Sequence, residues 1–254
     1  MIEIINLRKQ FKNGIVNRNV VTAVDGVSFK IEKGKTLGLV GESGCGKSTL
    51  SRLILKLIKP DSGKIIYNEE DITNYSFSKM RDLRREMQII FQHPDSALNP
   101  KKNIEESLIE PLKLHKIYNK NASQKYIKNY LDFVGLSDEI LSRYPYQVSG
   151  GQIQRVALAR VLLLKPKFII LDEPTSMLDV SVQAQVIQLL KKAQKEFGIT
   201  YLFISHDIDL VKAVSDDIAV MLDGKIVEII KAEEIYKNAK NEYTKRLIES
   251  FINF

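Results

Sequence analysis

The sequence has little cysteine, no tryptophan and no long apolar run. Its 254 residues include a single cysteine, Cys45, which excludes an internal disulfide and a zinc or iron–sulfur site built from cysteines of this chain alone. The longest apolar runs, such as residues 168–171, are far too short for a helix to cross the roughly 30 Å hydrocarbon layer of a bilayer. We therefore expect a chain that does not span a membrane.

Signals for export and for nucleic-acid binding are missing as well. Residues 1–11 contain neither a positive segment followed by an apolar stretch nor a small-residue cleavage site, which predicts a cytoplasmic protein. The net charge is +7, but the 38 Lys and Arg residues are spread along the chain and form no basic tail or aromatic-interleaved patch. A Lys-rich solvated surface explains this charge, and we expect no nucleic acid among the partners.

The order of apolar patterns along the chain predicts a mixed α/β fold. Short apolar strands alternate with segments of helical spacing, and a longer helical stretch over about residues 100–164 interrupts this alternation. Strands are expected at 21–31, 36–40, 64–67, 88–91, 168–171 and 200–204, with two short strands around Asp223-Gly224. Helices are expected at 47–57, 104–112, 123–134, 150–164 and 180–197. Such alternation indicates a mostly parallel sheet with helices on both faces.

A glycine-rich segment between the strand at 36–40 and the following helix matches the phosphate-loop pattern G-x-x-x-x-G-K-[ST]. Backbone N–H groups and the helix N-terminus would face phosphate oxygens, Lys47 would reach the terminal phosphates, and Ser48 would bind Mg²⁺. Cys45 is interpreted as a small side chain tolerated between glycines, with a redox or metal role as the alternative. The expected nucleotide-binding residues of this segment are Gly41, Ser43, Gly44, Cys45, Gly46, Lys47, Ser48 and Thr49.

Two acidic residues follow the apolar strand at 168–171. Ligands bind at the carboxyl ends of the strands in such sheets, so these side chains are candidates for the nucleotide site. Asp172 would hold Mg²⁺, and Glu173 would orient and deprotonate the attacking water. An acidic turn at a strand end is common by itself, but its pairing with a phosphate loop favours a nucleotide-hydrolysing site.

The segment Ser149-Gly150-Gly151-Gln152 opens the helix expected at 150–164, and a serine hydroxyl with exposed N–H groups at a helix start forms an anion site. This segment resembles the signature motif of ABC cassettes, although Val148 stands where that family usually has leucine. The resemblance implies that the four residues bind the γ-phosphate of ATP held by an opposite subunit, so that hydrolysis needs a head-to-tail pair. Alternatively Ser149 only caps its own helix, and the two roles use the same helix end.

Other landmarks of the ABC family follow in the right order. By this resemblance Gln92 senses Mg²⁺ and the lytic water, Asp179 belongs to the D-loop, His206 contacts the γ-phosphate and Phe11 stacks on adenine. Met177 in the D-loop stands where alanine is more usual. Singly, these residues could be a loop amide, a helix cap or core. Taken together, the expected catalytic residues are Glu173, His206 and Gln92, and the expected Mg²⁺ ligands are Ser48, Gln92 and Asp172.

The resemblance implies one ABC ATPase domain over residues 1–254 that binds ATP and Mg²⁺. Its α/β P-loop NTPase fold would comprise a RecA-like core with an antiparallel β subdomain over residues 1–92 and 166–230. A helical subdomain over residues 93–165 would hold the signature, and a short helical tail would follow over residues 231–254.

Several further stretches resemble the peptide/nickel importer branch of the family; they are Phe91-Gln92-His93-Pro94, Leu98-Asn99-Pro100, Arg143-Tyr144-Pro145, residues 179–185 and residues 242–247. This branch implies two membrane permeases, an extracellular binding protein and a second ABC ATPase subunit, with a heterodimer favoured over a homodimer. The chain would lie on the cytoplasmic face of the cell membrane. Residues 41–46 and 151–155, and the short stretch after Tyr243, favour nickel or a related metal complex as cargo, with peptides as the alternative.

Two other functions compete with transport. A non-transport ABC ATPase acting on nucleic acid usually carries a coiled-coil insertion, a second cassette or a zinc module, and the sequence contains none of these. A module that senses nucleotide without hydrolysis would be expected to lack Glu173 or His206, and both are present.

Overall fold

The computed structural model describes residues 1–13, 19–176 and 178–252. The contacts between its residues divide the chain into two compact units. The first unit comprises Met1–Asp82 and Ile199–Phe254, and the second unit comprises Leu83–Gly198. The helical subdomain over residues 93–165 and the tail over residues 231–254 stay predictions.

The elements of the described residues follow in chain order. The strands are β1 (Ile2–Asn13), β2 (Asn19–Ile31), β3 (Thr36–Val40), β4 (Ser62–Tyr67), β5 (Glu70–Asp71), β6 (Met87–Ile90), β7 (Phe168–Asp172), β8 (Thr200–Ile204), β9 (Asp217–Leu222) and β10 (Lys225–Lys231). The α-helices are α1 (Lys47–Ile54), α2 (Phe77–Glu86), α3 (Ile104–Leu114), α4 (Lys120–Phe133), α5 (Gly150–Leu162), α6 (Val180–Phe197), α7 (Ile208–Val214), α8 (Ile235–Asn238) and α9 (Glu242–Ile252).

The first unit contains an antiparallel sheet and a group of mainly parallel strands. The antiparallel sheet has the order β2-β1-β4-β5. In the other group β3 pairs in parallel with β8 and β9, and β10 is antiparallel to β9. Every residue of β3 is buried, as expected for a parallel strand covered on both faces. This burial explains why the sequence that leads into the phosphate loop is an apolar run.

The second unit combines a parallel strand pair with helices. In this pair Met87 of β6 lies opposite Phe168 of β7, and Ile90 lies opposite Leu171. Helix α5 contacts α3, α4 and α6 and is buried along most of its length. Because eight of its thirteen residues are buried, α5 forms the centre of this unit.

Strand β1 and helices α2 and α7 are absent from the sequence-based expectations, and helix α1 is shorter than expected. Helix α2 is not predicted, because its residues are dominated by charges and only Met80 among them is buried. Helix α1 ends at Ile54 and does not reach Leu57, since Lys56 adopts the left-handed backbone conformation at φ 55°. No helix of the described residues combines the length and the apolar character that crossing a bilayer requires.

Candidate functional site

The phosphate loop connects β3 to α1 in the first unit. Gly46, the residue before α1, has φ +111°, and a Cβ at this position would lie 2.1 Å from the carbonyl oxygen of Ala23 in β2. Only glycine therefore fits here without a shift of the backbone. Ser43, Gly44 and Ser48 are exposed, so the turn and the start of α1 are accessible to a ligand.

Lys47 brings a positive charge into this loop. The residue is only 6% exposed, and its Nζ donates to the carbonyl oxygens of Gly41 at 2.7 Å and Glu42 at 2.8 Å. A buried ammonium group requires such partners, because burial without them is strongly unfavourable. Backbone N–H groups, a helix start and a lysine ammonium together fit the chemistry of a phosphate group.

Cys45 lies beside the same ammonium group. Burial raises the pKa of its thiol, and this effect outweighs the opposing influence of Lys47, whose Nζ lies 3.8 Å from Sγ. The thiol is therefore neutral at pH 7 and a poor nucleophile. This environment favours the interpretation of Cys45 as a small buried side chain over a redox role.

His206 lies at the same sheet edge as the phosphate loop. Leu39 of β3 is in register with Ile204 of β8, so the residues that follow the two strands leave the sheet together. His206 is exposed, and the next residue, Asp207, caps α7 through the N–H of Leu210. The N–H of Asp207 donates to Oγ of Ser205 at 3.0 Å, so the turn that carries His206 is held on both sides.

Phe11 lies in β1 opposite Val21, with 40% of the residue exposed. Nζ of Lys9 is 5.6 Å from the centre of the ring. Phe11 is therefore not a core residue, and the alternative that it serves only in packing loses support. An exposed aromatic face of this kind is suited to stacking on a planar base.

In the second unit, Gln92 and Glu173 are in direct contact. The register of Ile90 with Leu171 brings the residues after β6 and β7 to one sheet edge. There Nε2 of Gln92 donates to Oε2 of Glu173 over 2.8 Å. Asp172, the last residue of β7, lies at the same edge. The structure thus groups three of the predicted residues, while their roles stay predictions.

The backbone of Glu173 is strained. Its φ is +51°, which is uncommon for a residue with a side chain, and a following proline normally restricts a residue to extended conformations. Such a conformation costs on the order of 1–3 kcal/mol, persists only where the surroundings hold it, and is concentrated at functional sites. The Glu173 carbonyl oxygen accepts a hydrogen bond from Oγ of Ser176 at 3.2 Å.

Ser149 begins α5 with a capping box. Its Oγ accepts from the N–H of Gln152 at 3.3 Å, and Oε1 of Gln152 accepts from the N–H of Ser149 at 3.0 Å. Ser149 and Gly150 are exposed, whereas a Cβ on Gly151 would lie 2.9 Å from Cγ1 of Val182 in α6. The capping interpretation is confirmed, and the role in binding an anion stays a prediction.

Asp179 caps α6, which follows the predicted D-loop. Its Oδ1 accepts from the N–H of Val182 at 3.0 Å and from Oγ of Ser181 at 2.7 Å. These hydrogen bonds, that of the Val182 backbone first, lower the pKa of the Asp179 carboxyl. Met177 of the D-loop lies outside the described residues.

One contact of the phosphate loop is not predicted by the sequence. The N–H of Glu42 donates to Oη of Tyr243 in α9 over 3.2 Å. Just before α9, the Glu228 carboxylate accepts from the N–H groups of Lys240 at 2.7 Å and Asn241 at 3.2 Å. Because 201 residues separate Tyr243 from Glu42, only the place of Tyr243 in the stretch 242–247 could have drawn attention to it.

Comparisons with known proteins agree with this geometry. The ABC transporter family model matches residues 24–176. The chain is 45% identical over 98% of its length to the oligopeptide transport ATP-binding protein AppF of Bacillus subtilis (strain 168), of which it covers 78%. It is 46% identical, again over 98% of its length, to the oligopeptide transport ATP-binding protein OppF of the same organism, of which it covers 82%.

A solved structure extends this similarity to the fold. The ATP-binding cassette MJ0796, in a dimeric post-hydrolysis state bound to ADP and Pi, matches with a TM-score of 0.81 at 29% identity, over 91% of this chain and 99% of that one. The predicted α/β P-loop NTPase fold of a cassette is confirmed by this match.

Removal of the Tyr243 hydroxyl should loosen the phosphate loop. In Tyr243→Phe the N–H of Glu42 loses its acceptor, and a net hydrogen-bond contribution of about 1 kcal/mol corresponds to roughly fivefold faster amide exchange. Hydrogen–deuterium exchange of the peptide that contains residues 41–46 would measure this change. Tyr146→Phe, at a residue that is 73% exposed, is the control, and unchanged exchange in Tyr243→Phe would contradict the expectation.

Proposed function

The chain belongs to the ABC transporter family, and we propose that it is the ATP-hydrolysing subunit of an importer that takes up peptides. The observation that carries the proposal is the phosphate loop built around the buried Lys47, in a chain nearly half identical to two proteins named for oligopeptide transport. Hydrolysis of ATP by this cassette would drive the opening and closing of the membrane subunits.

In the first unit, the residues from Gly41 to Thr49 bind the phosphates of ATP. Lys47 exchanges carbonyl oxygens for phosphate oxygens, which carry more negative charge and are better partners for a buried ammonium group. The exposed ring of Phe11 stacks on adenine. His206, at the same sheet edge as the loop, contacts the γ-phosphate.

Mg²⁺ accompanies the nucleotide. When bound, it would neutralise charge that develops on the phosphates during hydrolysis. The hydroxyl of Ser48, the carboxylate of Asp172 and the amide oxygen of Gln92 are oxygen donors of the kind that this ion prefers. The chemistry of the residues present therefore fits the ion.

Glu173 is the general base for water. Its carboxylate accepts the Gln92 amide over 2.8 Å, which orients the carboxylate without neutralising it. Gln92 thereby holds the base in place, and Glu173 takes the proton from the water that attacks the γ-phosphate.

A second cassette completes the reaction. Ser149, Gly150, Gly151 and Gln152 present the start of α5 to ATP held by the opposite subunit, and Asp179 lies in the D-loop that faces this partner. The exposure of Ser149 and Gly150 supports such a contact. Following the importer branch, the partner is a related second ATPase subunit in preference to a second copy of this chain.

The remaining partners are two permeases, with an extracellular binding protein that delivers cargo to them. A groove of about 650 Å³ in the second unit includes Gln92 in its lining and has the apolar side chains Pro94, Leu98, Tyr146 and Ile153 along its walls. A permease segment that occupies this groove would contact the same glutamine that orients Glu173. The chain would then lie at the cytoplasmic face of the membrane.

The relatives favour peptides as cargo. The local stretches of the sequence favour nickel, but both named relatives are oligopeptide transport proteins, and this agrees with the peptide alternative. No mechanism links the loop or signature residues to cargo, since binding protein and permeases contact what is transported. We therefore choose peptides over nickel.

Glu173→Gln tests the catalytic assignment. The amide cannot accept the proton of water, so ATP hydrolysis by the transporter should fall by roughly 100-fold or more, while ATP binding should stay close to that of wild type. Phosphate release and equilibrium nucleotide binding would be measured side by side. Glu196→Gln, an exposed position in α6, is the control, and near-normal hydrolysis in Glu173→Gln would refute the role of base.

Ser149→Arg tests the contact with the opposite nucleotide. A bulky side chain at the start of α5 should exclude the γ-phosphate of the partner, so hydrolysis should fall by roughly 100-fold, as on loss of an anion-stabilising donor, with ATP affinity retained. Ser149→Thr, which keeps a capping hydroxyl, should stay active. Equal losses of binding and hydrolysis in Ser149→Arg would argue against a role in trans.

Uptake measurements in cells distinguish peptides from nickel as the cargo. Lys47→Ala removes the phosphate-binding ammonium, so it should abolish uptake of a labelled oligopeptide and leave nickel uptake unchanged. Cells that lack the chain are compared with and without wild-type protein. Loss of nickel uptake with normal peptide uptake would reverse the choice of cargo.

A further inference from the structure

The two residues after Glu173 form a buried segment whose carbonyl groups need partners. Pro174 is buried, and Thr175 is only 2% exposed. Buried carbonyl groups in folded proteins are almost always hydrogen-bonded, and this segment belongs to neither a helix nor a strand that would supply the bonds. The carbonyl oxygen of Thr175 accepts from the N–H of Leu178 at 3.1 Å, and further donors come from elsewhere in the second unit.

Two glutamine side chains supply these donors. Nε2 of Gln154 in α5 donates to the carbonyl oxygen of Pro174 over 2.5 Å. Nε2 of Gln183 in α6 donates to the carbonyl oxygen of Thr175 over 2.9 Å. Gln154 is itself only 3% exposed, so its amide is committed to this contact and not to water.

Each glutamine is rigidly connected to a motif at the start of its helix. Gln154 lies five residues after Ser149, and Gln183 lies four residues after Asp179, so each is within one to two helical turns of the helix cap. The close approach of Gly151 to Val182 also packs the first turns of the two helices against each other. A displacement of either helix start would thus reach the carbonyl groups that follow Glu173.

We propose that Gln154 and Gln183 are positioning residues for Glu173, and that they connect its backbone to the helices that begin with the signature and D-loop motifs. The strained backbone of Glu173, at φ +51°, is a conformation that needs external support, and the two glutamines provide it one and two residues further along. This inference rests on the proposed role of Glu173 as the base. In this role neither glutamine needs to contact the nucleotide.

The test measures ATP hydrolysis and ATP affinity in the transporter that contains the full chain. Gln154→Leu and Gln183→Leu keep the side-chain volume and remove the donor, and Gln188→Leu on the exposed side of α6 is the matched control. Misplacement of the base should lower kcat by roughly 10- to 100-fold, while KM for ATP stays within about twofold of wild type. A merely structural role would lower kcat and melting temperature and raise KM together, or change none of them.

The double variant tests whether the two glutamines act on one segment. Because both support neighbouring carbonyl groups, Gln154→Leu combined with Gln183→Leu should lose little more activity than the more damaging single change. Gln183 is partly exposed, so its single variant keeps the test informative if Gln154→Leu fails to fold. Losses that multiply, or a kcat in Gln183→Leu equal to that of Gln188→Leu, would overturn the proposal.

Failure of the proposed function and failure of the positioning role would give different results. If wild type and Gln188→Leu do not hydrolyse ATP in the assembled transporter, the proposed function itself is wrong. If both hydrolyse ATP and the other two variants hydrolyse it equally fast, only the positioning role is wrong.

Discussion

The charge of Lys47 lies inside the phosphate loop with little exposure to water, and this arrangement constrains the rest of the first unit. Two carbonyl oxygens of the loop compensate the ammonium group, so the loop must curl tightly enough to bring Gly41 and Glu42 to its side chain. The N–H of Glu42 donates to Oη of Tyr243. In the peptide unit that joins Gly41 to Glu42, both the carbonyl oxygen and the N–H are therefore hydrogen-bonded, and the shape of the loop depends on α9 as well as on its own glycines.

Side-chain contacts also hold the base proposed in the second unit. Glu173 has a strained backbone, and side chains from elsewhere support it: Gln92 at its carboxylate and Ser176 at its carbonyl oxygen. Support by side chains can be released by small movements of the elements that carry them. A base that must act only when ATP and a partner are present would benefit from support of this kind.

Local patterns explain which parts could be predicted from the sequence. The phosphate loop, the acids after β7 and the cap at Ser149 are each recognised within a few residues, because the required backbone conformations and charges are specified locally. Helix α2 is not predicted, since charged residues outnumber apolar ones in its sequence. The contacts Tyr243–Glu42 and Gln154–Pro174 join residues 201 and 20 positions apart, and no local pattern encodes such tertiary pairing.

The close approach of Gly46 to Ala23 bears on how such loops evolve. A methyl group at Gly46 would collide with a main-chain oxygen of β2, which no rotamer change can relieve. A substitution would have to be accompanied by a displaced strand in a different sheet. Inheritance of the loop is therefore tied to inheritance of the neighbouring β2 backbone, and a graft of the eight-residue motif alone into another scaffold would lack the wall that shapes it.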